Sequence, residues 1–217
     1  MKLVHRLMFL LLALLPLTAC AAANPSAPPV AGKDYEEIAD PQPFAPLDGK
    51  IEVVEVFGYT CGHCAHFEPI LQPWVTKLPR DVRFTLVPGA FGGHWDAFAR
   101  AYYAAEQLGV AQRSHAAMFD ALHARGSLPM QNVSPQELAT FYADYGVAPE
   151  RFVQALRGEQ VDQRLKAARE FALRSGVRGT PTLVVNGKYL VTGRSFEDTL
   201  RIADALVARE RAAAKRR

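Results

Sequence analysis

The sequence predicts an α/β fold in which an all-helical domain is inserted into a small sheet domain. A strand, helix, strand pattern occupies residues 51 to 87, and amphipathic helical patterns without a convincing strand fill residues 95 to 175. A β hairpin and a helix follow Gly176. With 217 residues, the chain can bury a hydrophobic core without disulfide staples.

The first 20 residues have the pattern of an export signal. Lys2 and Arg6 precede an apolar run over residues 7 to 15, which is shorter than the roughly 20 apolar residues of a membrane-spanning helix. Residues 17 to 20, Leu-Thr-Ala-Cys, resemble the lipobox of bacterial lipoproteins, so Cys20 is a candidate for lipidation. Simple cleavage at the neighbouring small residues is the alternative. Both outcomes place the mature protein outside the cytoplasm, and lipidation would anchor it to a membrane.

Residues 21 to 34 are rich in proline and alanine and poor in large apolar side chains, which predicts an extended linker. We therefore expect the sheet domain to comprise residues 35 to 93 and 176 to 217. The helical insertion is expected over residues 94 to 175.

The formal net charge argues against nucleic acid as a partner. It is +3 for the whole chain, and removal of Lys2 and Arg6 with the signal leaves +1. Nucleic-acid binders owe most of their affinity to many lysine and arginine contacts with phosphates. We expect no such partner.

The sheet domain is predicted from local patterns. Residues 51 to 57 are mainly β-branched and apolar, which indicates a central strand, and residues 82 to 87 form a second one. Between them, apolar residues recur at helical spacing from Cys64 to Leu78, so a right-handed crossover is expected. The dipeptide Asn186-Gly187 predicts a hairpin turn.

The cysteine count focuses attention on one motif. Only three cysteines occur, at positions 20, 61 and 64, so there is no disulfide framework. Cys61-Gly62-His63-Cys64 lies at a predicted helix start, where unpaired backbone N–H groups face the first cysteine. A free thiol is only about 3% thiolate at pH 7, and the helix terminus with His63 can increase that fraction. Cys61 is therefore the candidate nucleophile.

A stabilised Cys61 thiolate would make the Cys61–Cys64 disulfide a stronger oxidant and Cys61 a better leaving group. Protons must then be exchanged at Cys64. Glu55, six residues before Cys61, is a candidate proton acceptor, and an ordinary strand carboxylate is the alternative interpretation.

Several motifs together resemble the thioredoxin superfamily and, within it, the DsbA family of bacterial periplasmic oxidases. Glu55-Val56-Phe57 leads into Cys61-Gly62-His63-Cys64, Pro69 follows five residues after the second cysteine, and Gly176-Val177-Arg178-Gly179-Thr180-Pro181 precedes Asn186-Gly187-Lys188-Tyr189. The resemblance covers roughly residues 50 to 207. It implies a thioredoxin-like fold with an inserted all-helical domain.

The resemblance also implies functional roles. Pro181 would be a cis-proline facing the cysteines, Thr180 would pair with substrate backbone beside Gly62, and Glu55 would be the buried acid. The protein would donate its disulfide to reduced exported proteins and be reoxidised by a DsbB-like membrane quinone reductase. It would need no cofactor beyond that disulfide and no metal, and we expect a monomer.

Two positions depart from the family pattern, because many DsbA proteins have proline between the cysteines and valine before the cis-proline. This chain has Gly62 and Thr180. Cys-Gly-His-Cys resembles eukaryotic disulfide isomerases, and threonine before the cis-proline resembles bacterial isomerases. A disulfide isomerase or reductase with milder redox poise is therefore the alternative function.

Two other interpretations are less favoured by the residues. A zinc site from Cys61, Cys64 and His66 would lack a fourth ligand in the sequence pattern. A redox-inactive binding lipoprotein that retains a thioredoxin shell is argued against by the intact CxxC motif.

Overall fold

The computed structural model describes residues 27 to 216, and the candidate lipidation site Cys20 lies outside them. Its sheet has five strands, β1 (Tyr35–Glu37), β2 (Ile51–Phe57), β3 (Val82–Pro88), β4 (Thr182–Val185) and β5 (Tyr189–Val191).

The strand order across the sheet is β1-β5-β4-β2-β3. β2 and β3 are parallel, and the other neighbouring strands pair antiparallel. β2 therefore lies between β3 and β4, and all seven of its residues are buried. Its carboxyl end, which leads to the cysteines, lies beside the start of β4, where Val56 is paired with Thr182.

The described residues also form seven α-helices: α1 (Gly62–Val75), α2 (His94–Gln107), α3 (Ala111–Phe119), α4 (Pro135–Ala143), α5 (Pro149–Leu156), α6 (Glu159–Arg174) and α7 (Phe196–Ala214). A π-helical turn, Asp120–Ala124, continues α3. α2 to α6 follow one another without an intervening strand in this described stretch, as the helical periodicity predicts. No helix among residues 27 to 216 has the length and apolarity needed to cross a membrane.

The alternation of side chains along β2 separates two parts of the core. Val54 and Val56 face the side covered by the helices between β3 and β4, and they share a cluster with Phe98 and Phe152. Val53 packs on the opposite side with residues of α1 and α7. The sheet is thus covered on both faces, as its fully buried central strand requires.

Local sequence signals correspond closely to the structure. Ser134 and Glu137 form a complete capping box at the start of α4. Asn186 and Gly187 both have positive φ, 55° and 63°, as the hairpin turn between β4 and β5 requires.

The amino-terminal edge of the sheet was not predicted. β1 is only three residues long, and its pairing with β5 supplies hydrogen bonds that propensity does not reveal. The end of the predicted linker lies against this edge, because the Thr192 hydroxyl donates to the Lys33 carbonyl and the buried Asp34 accepts from the Val30 amide.

Candidate active site

The loop between β2 and α1 places Cys61 at a helix N-terminus. Cys61 is the N-cap of α1, with an extended backbone at φ −88° and ψ 114°. Its sulfur accepts a hydrogen bond from the Cys64 amide at 3.4 Å. Because the first amides of a helix lack helical partners and carry partial positive charge, this sulfur lies where a negative charge is stabilised.

The surroundings of Cys61 favour its thiolate. Hydrogen bonds from the Cys64 thiol, the Thr180 hydroxyl and the amides of Cys64 and His63 outweigh partial burial and lower the pKa of Cys61 to about 5. At neutral pH the Cys61 side chain is therefore mainly a thiolate, the form that attacks disulfides and departs from them.

Cys64 has the opposite environment. Its side chain is 1% exposed, and burial with the neighbouring Cys61 raises its pKa well above that of a free thiol. The amide of Gly58 donates to its sulfur at 3.4 Å. The two cysteines are reduced in this structure, with no disulfide between them. Cys61 is thus an accessible thiolate and Cys64 a buried thiol. In thiol exchange, such a pair lets Cys61 react with partners while Cys64 reacts only with Cys61.

The loop before β4 approaches the cysteines from the other side. The Thr180-Pro181 bond is cis, as the resemblance implied. The Thr180 carbonyl lies 3.3 Å from the Cys61 sulfur, across a separation of 119 residues. A carbonyl can only accept, so this contact serves the thiol form. The structure therefore brings together Cys61, Cys64, Thr180 and Pro181.

Two buried glutamates on β2 differ in their hydrogen bonding. Glu52 is paired with Arg83 at 2.8 Å and also accepts from the Phe44 amide at 2.7 Å. Glu55 is 2% exposed, and its Oε2 atom has no hydrogen-bond partner among residues 27 to 216. Burial, with smaller contributions from Glu68 and Cys61, raises the pKa of Glu55 well above its ordinary value. An unpaired buried carboxyl with a raised pKa is a candidate proton-transfer group.

His63 and Gly62 are exposed beside the cysteines. The contribution of His63 to the Cys61 thiolate comes from its backbone amide rather than from its imidazole. A Cβ at Gly62 would meet nothing within 4 Å, so packing does not demand glycine there. A groove of about 190 Å³ beside the motif is lined by His63, Pro181 and, further along, Phe196.

Sequence reasoning missed several residues around the loop, notably Tyr59, Glu68, Trp95, His115 and His123. A Cβ at Gly58 would lie 2.0 Å from Cζ3 of Trp95, so the indole packs directly on the backbone. The Tyr59 hydroxyl lies 2.8 Å from Nδ1 of the buried His115. No local pattern marks these residues, because their contacts join segments distant in the chain.

The zinc interpretation finds no support in the described part of the chain. Residues 27 to 216 contain no cluster of three or more His, Cys, Asp or Glu side chains arranged to hold a metal ion.

Comparison with known proteins gives consistent matches. A family model described as a DSBA-like thioredoxin domain matches residues 52–203. The chain is 40% identical to the thiol:disulfide interchange protein DsbA of Pseudomonas aeruginosa over 189 residues, covering 86% of this chain and 88% of the relative. The crystal structure of the oxidoreductase DsbA from Xylella fastidiosa is similar at 65% identity and a TM-score of 0.84, covering 85% of this chain and 98% of that one. The crystal structure of P. aeruginosa DsbA has 40% identity and a TM-score of 0.79, with 86% and 96% covered.

Proposed function

The chain belongs to the DsbA family of thiol:disulfide interchange proteins, and from that premise we propose that it donates a Cys61–Cys64 disulfide to reduced exported proteins. The observation that carries this proposal is the asymmetry of the two sulfurs. Cys61 is a stabilised thiolate at a helix N-terminus, whereas Cys64 is a buried thiol. A thiolate that is stable when reduced makes the corresponding disulfide an oxidant.

The first chemical step forms a mixed disulfide. A substrate thiolate attacks the Cys61 sulfur, a substrate–Cys61 bond forms, and the Cys61–Cys64 bond breaks with its electron pair leaving on Cys64. The cis-proline loop borders the Cys61 sulfur through the Thr180 carbonyl, 3.3 Å away. Thr180 and Pro181, with Gly62 opposite them, are proposed to receive the extended substrate backbone.

The second step releases the oxidised substrate. A second substrate thiolate attacks the substrate sulfur of the mixed disulfide, and Cys61 departs as a thiolate. The substrate loses two electrons, which reduce the Cys61–Cys64 pair. The leaving sulfur of Cys64 takes up a proton because its pKa is raised by burial. Glu55, buried and with a raised pKa, is proposed to exchange this proton.

Titration of the reduced protein tests the proposed direction of exchange. The thiolate absorbance of Cys61 is expected to appear with a midpoint near pH 5, and equilibration with glutathione is expected to favour the dithiol form. A midpoint near 8.5 with a thioredoxin-like potential would instead support the reductase alternative. Absence of any thiol exchange would support the redox-inactive binding protein.

Isomerase activity is the second candidate function, because Gly62 and Thr180 are the residues that resemble those of disulfide isomerases. Refolding of a substrate with scrambled disulfides separates the two activities, because an oxidase alone introduces disulfides without correcting wrong pairings. Substituting Gly62→Pro and Thr180→Val separately shows whether either residue affects the stability of the Cys61 thiolate or the correction of wrong disulfide pairings.

Replacing Glu55 by glutamine is expected to slow the steps in which Cys64 gains or loses a proton by about tenfold or more. The physical reason is that glutamine retains the shape of the side chain but cannot exchange the proton. Rapid-mixing kinetics of reduction and reoxidation, measured against pH, provide the test. Glu52→Gln is the matched control, since it changes another buried acid on β2 that is fully paired. Identical pH–rate profiles for the two variants would contradict the proposed role.

Proteins of this family are periplasmic, and we propose that a DsbB-like membrane quinone reductase reoxidises this one. Residues 94 to 175 are proposed to form the inserted helical domain, and residues 35 to 93 and 176 to 217 the redox domain. Lipidation at Cys20 would keep the protein at a membrane. Mass spectrometry of the mature chain distinguishes a lipidated Cys20 from simple signal cleavage.

A further inference from the structure

Three residues of α3 and of the π-helical turn that continues it contact Tyr59, which lies two positions before Cys61. The imidazole of His123 donates from Nε2 to the Tyr59 carbonyl at 2.7 Å. Phe119 meets the Tyr59 ring edge to face at 5.1 Å between centroids. His115 Nδ1 lies 2.8 Å from the Tyr59 hydroxyl. The backbone carbonyl, the ring and the hydroxyl of Tyr59 are therefore all contacted by α3 and its π-helical turn.

The π-helical turn explains how His115, Phe119 and His123 can all face Tyr59. His115, Phe119 and His123 are spaced by four residues, and in a regular α-helix eight residues overshoot two full turns by about 80°. The Asp120–Ala124 turn is wider, with the Arg125 amide bonded to the Asp120 carbonyl at 2.9 Å, and it takes up this overshoot. His123 consequently points to the same residue as His115. Such π turns occur frequently at functional sites.

The Tyr59 carbonyl has a particular place in the loop. The Cys61 amide donates to the Gly58 carbonyl at 3.0 Å, so residues 58 to 61 form a β-turn with Tyr59 and Thr60 at its centre. The Tyr59 carbonyl belongs to the central peptide of that turn, whose orientation distinguishes one turn type from another. A hydrogen bond to this carbonyl therefore fixes the direction in which the chain enters Cys61.

His115 connects the same loop to α1. It is 3% exposed, and its Nε2 faces the buried Glu68 carboxyl at 3.6 Å. Because a hydrogen on Nε2 is favoured beside carboxyl oxygens, Nδ1 is the acceptor and the Tyr59 hydroxyl donates to it. Glu68 lies four residues after Cys64 on α1 and also accepts from Gln72 at 2.9 Å. His115 thus contacts both the loop, through Tyr59, and α1, through Glu68.

We propose that His123 is a positioning residue for Cys61: through the Tyr59 carbonyl it fixes the turn of residues 58 to 61 and holds the Cys61 sulfur at the helix N-terminus. His123 touches neither cysteine, and it acts through the backbone. The consequence for redox chemistry rests on the proposed function, whereas the effect on the turn does not. In this proposal, α3 and its π-helical turn help to keep Cys61 in its thiolate form.

The test compares His123→Leu and His123→Asn, which remove the bond to the carbonyl, with His123→Gln, whose amide can reach it. Arg125→Gln is the matched control, since Arg125 lies on the same segment and is ion-paired to Asp120 on the surface. Hydrogen exchange of the Cys61 amide in the reduced protein is expected to accelerate about tenfold in the Leu and Asn variants. Their Cys61 titration midpoint is expected to rise by about half a unit, with a roughly threefold shift of the glutathione equilibrium toward the disulfide.

His123→Gln and Arg125→Gln are expected to match the unaltered protein in all three measurements. If the Leu and Asn variants lose thermal stability while the exchange of the Cys61 amide and the titration midpoint stay unchanged, His123 is only a structural residue and the proposal is overturned. If the unaltered protein itself titrates near 8.5, the proposed oxidase function fails, and amide exchange still decides whether His123 holds the turn.

Discussion

Replacing Cys61 by serine is expected to abolish oxidation of dithiol substrates, by at least about a thousandfold, because no other accessible thiolate is present among residues 27 to 216. Replacing Cys64 by alanine is expected to give the opposite chemical result. The remaining Cys61 thiolate can form a mixed disulfide with a client but lacks the internal thiol that would displace it. Covalent adducts should therefore accumulate.

Non-reducing electrophoresis and mass spectrometry of the two variants, after mixing with an oxidised or glutathione-activated client, measure these outcomes. The double variant Cys61→Ser with Cys64→Ala is the control for non-specific adducts. Adducts formed through Cys64 in the Cys61→Ser variant would contradict the assignment of Cys61 as nucleophile, since Cys64 is 1% exposed.

The stability of the reduced protein, relative to the oxidised protein, is expected to increase between about pH 5 and pH 8.5. The folded protein releases the Cys61 proton near pH 5, whereas an unfolded chain retains it up to about 8.5. Between these values the unfolded state binds more protons, so the free energy of unfolding rises with pH. Below pH 5 the contribution is lost.

Cys64 gives the opposite sign above pH 8.5. Its pKa is raised in the folded protein, so at high pH the unfolded chain loses a proton that the folded chain keeps, and stability falls. The reduced form should therefore be favoured most strongly near pH 8.5. The rise from pH 5 to pH 7 would be about 3–5 °C in Tm, after allowing for solvent screening of the half-buried Cys61.

Thermal unfolding of both redox forms from pH 4 to pH 10 measures this difference. The oxidised protein is its own control, because it lacks both thiols while keeping the other titrating groups. A difference in Tm that stays constant between pH 5 and pH 8.5 would show that Cys61 has an ordinary pKa in the folded protein.

Much of the candidate site is visible in the sequence because its signals are local. The CxxC spacing, the strand of residues 51 to 57 before it and the helix after it lie within a few residues of one another. The helical spacing from Cys64 to Leu78 corresponds to α1, Gly62–Val75, with Cys61 as its cap. The cis-proline is different, because Thr180-Pro181 alone predicts a strand-initiating proline and only the resemblance implied a cis bond.

By itself, the sequence determined the fold class and the family and indicated Cys61 as the candidate nucleophile, since strand alternation, helical period, turn dipeptides and motif spacing are all properties of short segments. Only the tertiary structure decided how the nucleophile is supported. The contacts from Tyr59 to His115 and His123 join residues 56 and 64 positions apart, and Thr180 reaches Cys61 across 119 positions. The pairing of Glu52 but not Glu55 likewise depends on which side chains the packed core brings to each carboxyl. Such contacts arise from packing between elements, which leaves no periodic trace in any one of them.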